Sequence, residues 1–335
     1  MTDPLISILM PVKNAAPFIK ECLDSVLDQT YTHWELIAVN DHSTDESAQI
    51  LTSYSEVDKR IRVVENVGQG IIPALQTAYK ESSGELITRM DADDVMALNK
   101  LSEMARQLEH HGKGFIATGC VRYFSEGELG EGFKNYAKWL NELTQKGENF
   151  SEIYKECVIP SPCWMVYRED FERCGAFDTS IYPEDYDLAF RFYKQGLKVI
   201  PTHQVFHHWR DYEKRTSRTD DNYADNSFIA LKCHYFLELD YDVNRQLVIW
   251  GAGWRGKKVA KYLLKANIPF LWICNNKRKI GKFIYGIEMK SFECLENLSD
   301  NQFILTMSNS EDQASVTETL NAYGLKKMKD YFFWV

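Results

Sequence analysis

The stretch LITRMDADD, residues 86–94, joins a short apolar run to a cluster of acidic residues. Residues 86–90 have the length and composition of a buried β-strand, and the acidic residues follow directly where that strand ends. Side chains two residues apart on an extended segment point to the same side, so Asp91 and Asp93 can face one ligand. Acidic triplets are also common on protein surfaces, and this alternative stays open on these residues alone.

Three further strand-like runs precede this stretch and alternate with segments of helical period. They cover residues 5–10, 36–40 and 61–65. The alternation predicts an α/β fold whose mostly parallel sheet carries helices on both faces. Because ligands in such sheets bind beyond the carboxyl ends of the strands, the residues after each strand are the candidates for a site.

Length and composition predict two folded domains. The 335 residues exceed the size at which one hydrophobic core keeps growing. A second alternating pattern starts near residue 247, with further strands at 270–273 and 303–306, and residues 222–239 are predicted to form a helix closing the first domain. We therefore predict a larger domain over residues 1–242 and a smaller Rossmann-like α/β domain over residues 243–335.

Charge and cysteine usage restrict partners and compartment. The formal net charge of -9 disfavours a protein that binds nucleic-acid backbones. The eight cysteines form no C-x-x-C pair, which indicates reduced thiols. The chain shows no signal-peptide pattern and no run of 18 apolar residues. We expect a cytoplasmic protein without a transmembrane segment; peripheral association with the inner face of the membrane and the oligomeric state stay open.

Two more predicted strands end in polar residues. Pro11, Val12 and Asn14 follow the first strand, and Asp41 opens the run DHSTD after the second. A carboxylate at Asp41 could accept the ring N–H of uracil or guanine, whereas adenine has no such donor on the corresponding nitrogen, so UDP or GDP would be selected. Alternatively, Asp41 and Ser43 only cap the helix that follows.

The acidic run at residues 91–94 suits a divalent cation beside a diphosphate. Mg²⁺ and Mn²⁺ prefer oxygen ligands and complete their coordination with water and phosphate oxygens, so few protein carboxylates are needed. A cation there would act as a Lewis acid on a nucleoside diphosphate leaving group.

The run PEDYDL, residues 183–188, begins a predicted helix near Asp185. Carboxylates at this position can stabilise a helix start through the macrodipole. In the functional interpretation, Asp185 removes the proton from an incoming sugar hydroxyl as it attacks the anomeric carbon, and Glu184 positions the acceptor or Asp185.

Histidine and arginine side chains gather farther along the chain, where an acidic protein would need them to hold phosphate or an acceptor. One histidine could complete a metal shell or make a structural hydrogen bond, and the aromatic residues Trp209 and Tyr212 could form a sugar platform or lie in the core. The candidates are His207, Trp209, Arg210, Arg215 and Arg218.

Together these motifs resemble family 2 glycosyltransferases of the GT-A fold, over the N-terminal two thirds of the chain. The resemblance rests on residues 11–14, 39–45, 89–94 and 183–188, in that order. It implies inverting transfer of a hexosyl or N-acetylhexosaminyl group from a nucleotide sugar, usually a UDP-sugar, to a glycan or glycoconjugate acceptor in polysaccharide biosynthesis.

The resemblance also implies roles for single residues. Asp41 would lie near the nucleobase, Asp91 near ribose or sugar, Asp93 on Mn²⁺ or Mg²⁺, and Asp185 in the place of the catalytic base. The implied donor site is completed by Pro11, Val12, Asn14, Met90 and Ala92. The chain departs from the family at His42, where glycine is usual, and at Tyr212, where relatives often carry a histidine.

The C-terminal segment carries the spacing G-x-G-x-x-G at Gly251, Gly253 and Gly256 after a predicted strand. An NAD enzyme would present an acidic residue at the end of the next strand, where Asn275 stands instead. The segment resembles the small Rossmann-type nucleotide-sugar-binding domain of bacterial sugar acetyltransferases, although no second half is evident. We expect an accessory binding or docking domain.

Two other functions stay open. A nucleotide-sugar sensor would bind UDP tightly and release none from a donor. A bifunctional protein would add an NAD(P)-dependent sugar oxidoreductase in the C-terminal domain.

Overall fold

A computed structural model of the chain describes residues 3–125, 127–178, 180–213, 215 and 228–335. The chain divides into two compact units. Unit 1 comprises Met1–Phe150 and Val158–Asn222, and unit 2 comprises Ser151–Cys157 and Tyr223–Val335.

Unit 1 alternates strands and helices as predicted. Its strands are β1 Ile6–Val12, β2 Trp34–Asn40, β3 Ile61–Glu65, β4 Leu86–Arg89, β5 Val95–Met96, β6 Phe115–Thr118, β7 Cys120–Ser125, β8 Trp164–Tyr167, β9 Lys198–Ile200 and β10 Val205–Asp211. Its described helices are α1 Ile19–Leu27, α2 Ser47–Val57, α3 Ile71–Glu81, α4 Lys100–His111, α5 Glu131–Lys146, α6 Arg168–Arg173 and α7 Glu184–Lys194.

The main sheet of unit 1 has seven strands in the order β3-β2-β1-β4-β8-β6-β9. Its first four strands pair in parallel, and β8 is antiparallel to both of its neighbours. The first five residues of β1 are fully buried, although alternate side chains point to opposite faces. Both faces of β1 are therefore covered, which explains its nearly continuous apolar sequence.

A second sheet of unit 1 has the order β5-β10-β7. Strand β10 pairs with β5 through His207 opposite Met96 and His208 opposite Val95. Because β5 follows the acidic run directly, this pairing brings the segment around His207 to the end of β4.

Unit 2 is an α/β domain with a six-stranded sheet in the order β13-β14-β12-β11-β15-β16. The elements are α8 Ile229–Leu239, β11 Gln246–Trp250, α9 Trp254–Lys265, β12 Leu271–Ile273, β13 Phe283–Ile284, β14 Ile287–Lys290, β15 Asn301–Leu305, α10 Ser310–Ala322 and β16 Tyr331–Phe333. All pairs from β14 to β16 are parallel. Counted from β11, this is the Rossmann order 3-2-1-4-5. The strand predicted at residues 303–306 is β15, and β16, which was not predicted, completes the second half of the sheet.

The helix α8 belongs to unit 2, in contrast to the prediction that it closes the first domain. Phe236 on α8 lies 5.1 Å from Phe332 and 5.7 Å from Tyr154, measured between ring centroids. These aromatic contacts place the helix in the core of unit 2, which local periodicity could not show. Among the described residues, no helix is both long and apolar enough to cross a bilayer.

Candidate active site

Asp94, the last residue of the acidic run, is fully buried and held by β10. Its carboxylate is 2.9 Å from His207 Nε2 and accepts the Arg210 backbone N–H at 2.8 Å. Burial raises the pKa of Asp94, while burial and the nearby Lys100 ammonium lower the pKa of His207. Asp94 therefore anchors the end of β4 to the second sheet and does not present a ligand.

Asp93, unlike Asp94, is partly exposed, and it has a hydroxyl partner. Its Oδ2 accepts the Tyr212 O–H at 3.0 Å. Burial, followed by the charges of Asp94 and Asp91, raises the pKa of Asp93 to about 7, with Arg215 opposing the shift. The surplus of negative charge around Asp93 is the electrostatic environment that a cation would stabilise.

Arg89, the last residue of β4, links the acidic run to helix α7. Its Nη2 lies 2.9 Å from Asp91 Oδ1, and its Nη1 donates to Glu184 Oε1 at 2.9 Å. The side chains of Arg89 and Glu184 are each 5% exposed. The sequence motif contains Arg89 but did not indicate a role for it, because its partner Glu184 is 95 residues away in the chain.

Asp185 lies in the first turn of α7, next to this ion pair, and its Oδ1 accepts the Tyr186 N–H at 2.8 Å. Burial and the neighbouring Glu184 raise the pKa of Asp185 to about 7, against the opposing charge of Arg89. The helix macrodipole favours the ionised form of this carboxyl, so burial and the charge of Glu184 outweigh it. A carboxyl with a pKa of about 7 suits a base that works near neutral pH.

Asp41, after β2, is almost fully buried among donors. It accepts hydrogen bonds from Asn66 Nδ2 at 2.5 Å, from the Gly70 N–H at 3.0 Å and from Lys13 Nζ at 3.1 Å. Burial opposes ionisation, but these hydrogen bonds lower the pKa of Asp41. Asn66 follows β3 directly, so the strand-end rule that selected Asp41 could also have found it.

The loops after β1 and β2 are joined by side chains. Asn14 Oδ1 accepts the Thr44 N–H at 2.8 Å, and the Ser43 hydroxyl accepts the Asn14 N–H at 3.1 Å. Helix α2 begins only at Ser47, so Asp41 and Ser43 do not cap it. His42 has a φ of 55°, a left-handed conformation in which glycine is least strained, and its Nε2 donates to the Gly68 carbonyl at 2.8 Å.

Several predicted donor contacts can come only from the backbone. The side chains of Val12, Met90 and Ala92 pack in the hydrophobic core of unit 1. Pro11 lies within β1 next to Val12. Val12, Met90 and Ala92 can therefore shape a site only through main-chain position, since their side chains lie in the core.

The predicted phosphate or acceptor residues on β10 have internal partners instead. His207 is fully buried on Asp94, and Trp209 packs against Tyr123, with ring centroids 4.9 Å apart. Arg210 Nε donates to the Asp93 carbonyl at 2.8 Å, and its Nη2 pairs with Glu21. These contacts favour the structural alternative for His207 and Trp209, and they place Arg210 against the acidic run.

Arg215 and Arg218 are the remaining candidates of that group. Arg215 is partly buried, and its guanidinium carbon lies 5.7 Å from the ring centroid of Tyr123. Arg215 also contributes positive charge near Asp93. Arg218 lies outside the described residues.

The glycines of unit 2 serve close packing at the end of β11. A Cβ on Gly251 would lie 2.4 Å from Thr306 Oγ1, and one on Gly256 would lie 2.3 Å from the Gly251 carbonyl oxygen. Gly253 has open space around it. Asn275 is exposed and accepts the Trp250 indole N–H at 3.0 Å.

The fold and the carboxylates at its strand ends define the class of protein: a glycosyltransferase fold of the GT-A type. The solved structures of S. aureus TarS residues 1–349 with UDP-GlcNAc and of the mannosyltransferase PcManGT from Pyrobaculum calidifontis with GDP-Man and Mn2+ share this fold. The TarS structure has a TM-score of 0.54 at 17% identity and covers 77% of this chain and 71% of its own. PcManGT has a TM-score of 0.55 at 20% identity and covers 80% and 76%.

The chain belongs to glycosyl transferase family 2, whose family model matches residues 7–175. Glycosyltransferase GlyA of Streptococcus pneumoniae serotype 4 (strain ATCC BAA-334 / TIGR4) is 33% identical over 227 residues, or 65% of this chain. That match spans 32% of GlyA, so the chain corresponds to less than two thirds of that relative.

Proposed function

We propose that this protein is an inverting, metal-dependent glycosyltransferase. It would move a hexosyl or N-acetylhexosaminyl group from a UDP-sugar to a hydroxyl of a glycan or glycoconjugate in polysaccharide biosynthesis. The observation that carries the proposal is the Arg89 guanidinium, which joins Asp91 on the donor side to Glu184 beside the candidate base. Membership of glycosyl transferase family 2 supports the same reaction class.

The nucleobase would lie at Asp41. An ionised carboxylate offers about four acceptor positions, and its ordered donors fix its orientation. The Lys13 side chain is 50% exposed and can move aside for a base whose ring N–H then donates to Asp41. Uracil and guanine both carry that donor, and the neighbouring structures contain UDP-GlcNAc in one case and GDP-Man in the other, so a GDP-sugar is the alternative donor.

Asp93 would hold Mn²⁺ or Mg²⁺, with Asp91 near the ribose or sugar. No group of three His, Cys, Asp or Glu side chains arranged for a metal occurs in the described part of the chain. The residues nevertheless fit a hard cation that takes most ligands from water and phosphate, because a carboxyl with a raised pKa gains from a nearby divalent charge. When bound, the cation would neutralise negative charge on the diphosphate leaving group.

Asp185 would act as the general base. The acceptor hydroxyl attacks the anomeric carbon opposite the nucleotide, and a new C–O bond forms as the bond to the diphosphate oxygen breaks with inversion. UDP leaves with the bonding electrons, and the hydroxyl proton passes to Asp185. Burial raises the pKa of Asp185, and the carboxylate of Glu184, which Arg89 holds beside the base, raises it further.

The proposal is tested by measuring release of UDP and GDP from a panel of nucleotide sugars, with Mn²⁺ and with or without acceptor oligosaccharides. We expect Asp93→Ala and Asp185→Asn to slow release strongly, while Asp178→Asn, a substitution of an exposed carboxylate, leaves it unchanged. Full transfer by folded Asp185→Asn would refute the assignment of the base. A wild-type rate that survives chelation would refute the metal.

The two alternatives differ from this proposal in what the protein would bind and release. A nucleotide-sugar sensor would bind UDP tightly and release none from any donor. An oxidoreductase in unit 2 would bind NAD(P)H, and its strand order and glycine turn permit a nucleotide. Asn275 argues against this function, because it provides no carboxylate for the ribose hydroxyls.

A further inference from the structure

Unit 2 carries a strong local excess of positive charge. Residues 245–290 contain eleven Lys and Arg residues and a single acidic residue, Glu288, in a chain whose formal net charge is -9. The rest of the chain is correspondingly acidic. The nucleotide-sugar chemistry proposed for unit 1 does not account for this segregation.

Part of this charge lies along one side of helix α9, next to an exposed indole. Lys257 and Lys261 are exposed and lie one turn apart, whereas Val259 and Leu263 are fully buried on the other side. Trp254, in the first turn, is 51% exposed. The Lys258 ammonium and the Arg255 guanidinium each lie 4.8 Å from the centroid of its ring.

The β13–β14 hairpin continues the same surface. Phe283 is 71% exposed and Tyr285 at the hairpin tip is 44% exposed. Lys261 Nζ lies 5.0 Å from the centroid of the Tyr285 ring, which joins the helix to the hairpin. We call the surface formed by Trp254, Lys257, Lys258, Lys261, Phe283 and Tyr285 the basic aromatic surface.

We propose that the basic aromatic surface docks unit 2 on an anionic lipid bilayer. Lysine side chains are attracted to anionic headgroups, and exposed aromatic rings enter the boundary between headgroups and acyl chains. Glu288, opposite Phe283 in the hairpin register, weakens the attraction to anionic lipid, but the positive charges of this surface outnumber it. The exposed Phe283 favours a lipid surface over duplex DNA as the partner, because the DNA phosphates offer no apolar phase for its ring.

The test is sedimentation of the full chain with vesicles of phosphatidylcholine alone or mixed with phosphatidylglycerol. We expect binding only to the mixed vesicles, weakening as salt is added. Each lysine near the surface contributes about fivefold in affinity, so Lys257→Gln with Lys261→Gln should weaken binding about 25-fold. The matched control, Lys326→Gln with Lys329→Gln, removes the same charge from exposed positions beside β16, at the opposite edge of the sheet, and should change binding little.

The apolar part of the surface is tested separately by Phe283→Ser, which should weaken vesicle binding about tenfold at salt concentrations that screen the lysines. Neither variant touches the carboxylates of unit 1, so release of UDP from a soluble donor should stay at the wild-type rate. Failure to bind the mixed vesicles, or equal losses in the control variant, would overturn the proposal. So would binding to DNA or RNA alone, or salt-sensitive self-association in place of vesicle binding.

Discussion

Replacing Arg89 with methionine would remove the link between the end of β4 and the start of α7 while keeping an aliphatic side chain. The variant leaves two carboxylates without the Arg89 guanidinium. The Glu184 side chain is 5% exposed, and the Asp91 side chain is 24% exposed. Asp91 can regain hydration, whereas Glu184 cannot. Most of the cost should therefore arise at Glu184.

The expected loss in the free energy of unfolding is about 3–5 kcal/mol, the cost of stranding one partner of a buried ion pair. Coulomb's law gives a similar figure, about 4 kcal/mol for unit charges about 4 Å apart at an effective dielectric constant near 20. Arg89 also opposes the raised pKa of Asp185. Its removal should raise that pKa further, so less of the base is ionised at neutral pH and the activity profile moves to higher pH.

Urea-induced unfolding of Arg89→Met, Glu184→Gln and the double variant measures the coupling between the two residues. Arg106→Met is the matched control, because Arg106 is 66% exposed and its pairing with Glu103 should be worth about 0.5 kcal/mol or less. A cost for Arg89→Met no greater than that for Arg106→Met would contradict a stabilising buried ion pair. An equal effect of Glu184→Gln with and without Arg89 would show that the two residues are not coupled.

Three further predictions concern the base, the metal and unit 2. Asp185→Asn should lower kcat by about 10²–10⁴ with UDP affinity retained. In the wild type, kcat/KM for UDP release at saturating Mn²⁺ should rise with pH through about 7, because the ionised base is the active form; a flat profile would contradict this. Tyr212→Phe removes the hydroxyl that donates to Asp93 Oδ2, so Mn²⁺ binding should strengthen about fivefold. Electron paramagnetic resonance titrations with UDP measure this change, and weaker binding would show that the hydroxyl does not compete with the metal. Gly256→Ala should destabilise unit 2 by about 1–3 kcal/mol in thermal unfolding, whereas Gly253→Ala, where a Cβ meets nothing within 4 Å, should be neutral, and equal effects would refute the packing argument.

The sequence predicted the first four strands of unit 1 to within two residues at each end. Hydrophobic periodicity and turn residues are local signals, so they predict strands without knowledge of the packing. The same locality explains why Asp41 and Asp93 could be selected as candidates, because both follow a strand. The left-handed φ of His42 gives the physical reason for the glycine that the family pattern usually has at this position. The pattern alone did not show that reason.

The surroundings of His207, Arg210 and helix α8 depend on contacts between residues far apart in the chain. His207 and Arg210 carry groups that bind phosphate in many proteins, yet pairing of β10 with β5 buries them against the acidic run. Helix α8 has no local signal that assigns it to unit 2, because its partners lie near residues 154 and 332.

The sequence by itself determined which strands form and which carboxylates stand at their ends, since both depend on residues close together in the chain. Only the tertiary structure decided the surroundings of each carboxylate. Asp94 became a buried anchor and Asp93 the candidate for a cation, while Asp185 acquired a raised pKa beside Glu184 and Arg89. The physical reason is that burial and the charges of neighbours set ionisation, and those neighbours come from parts of the chain that only folding brings together.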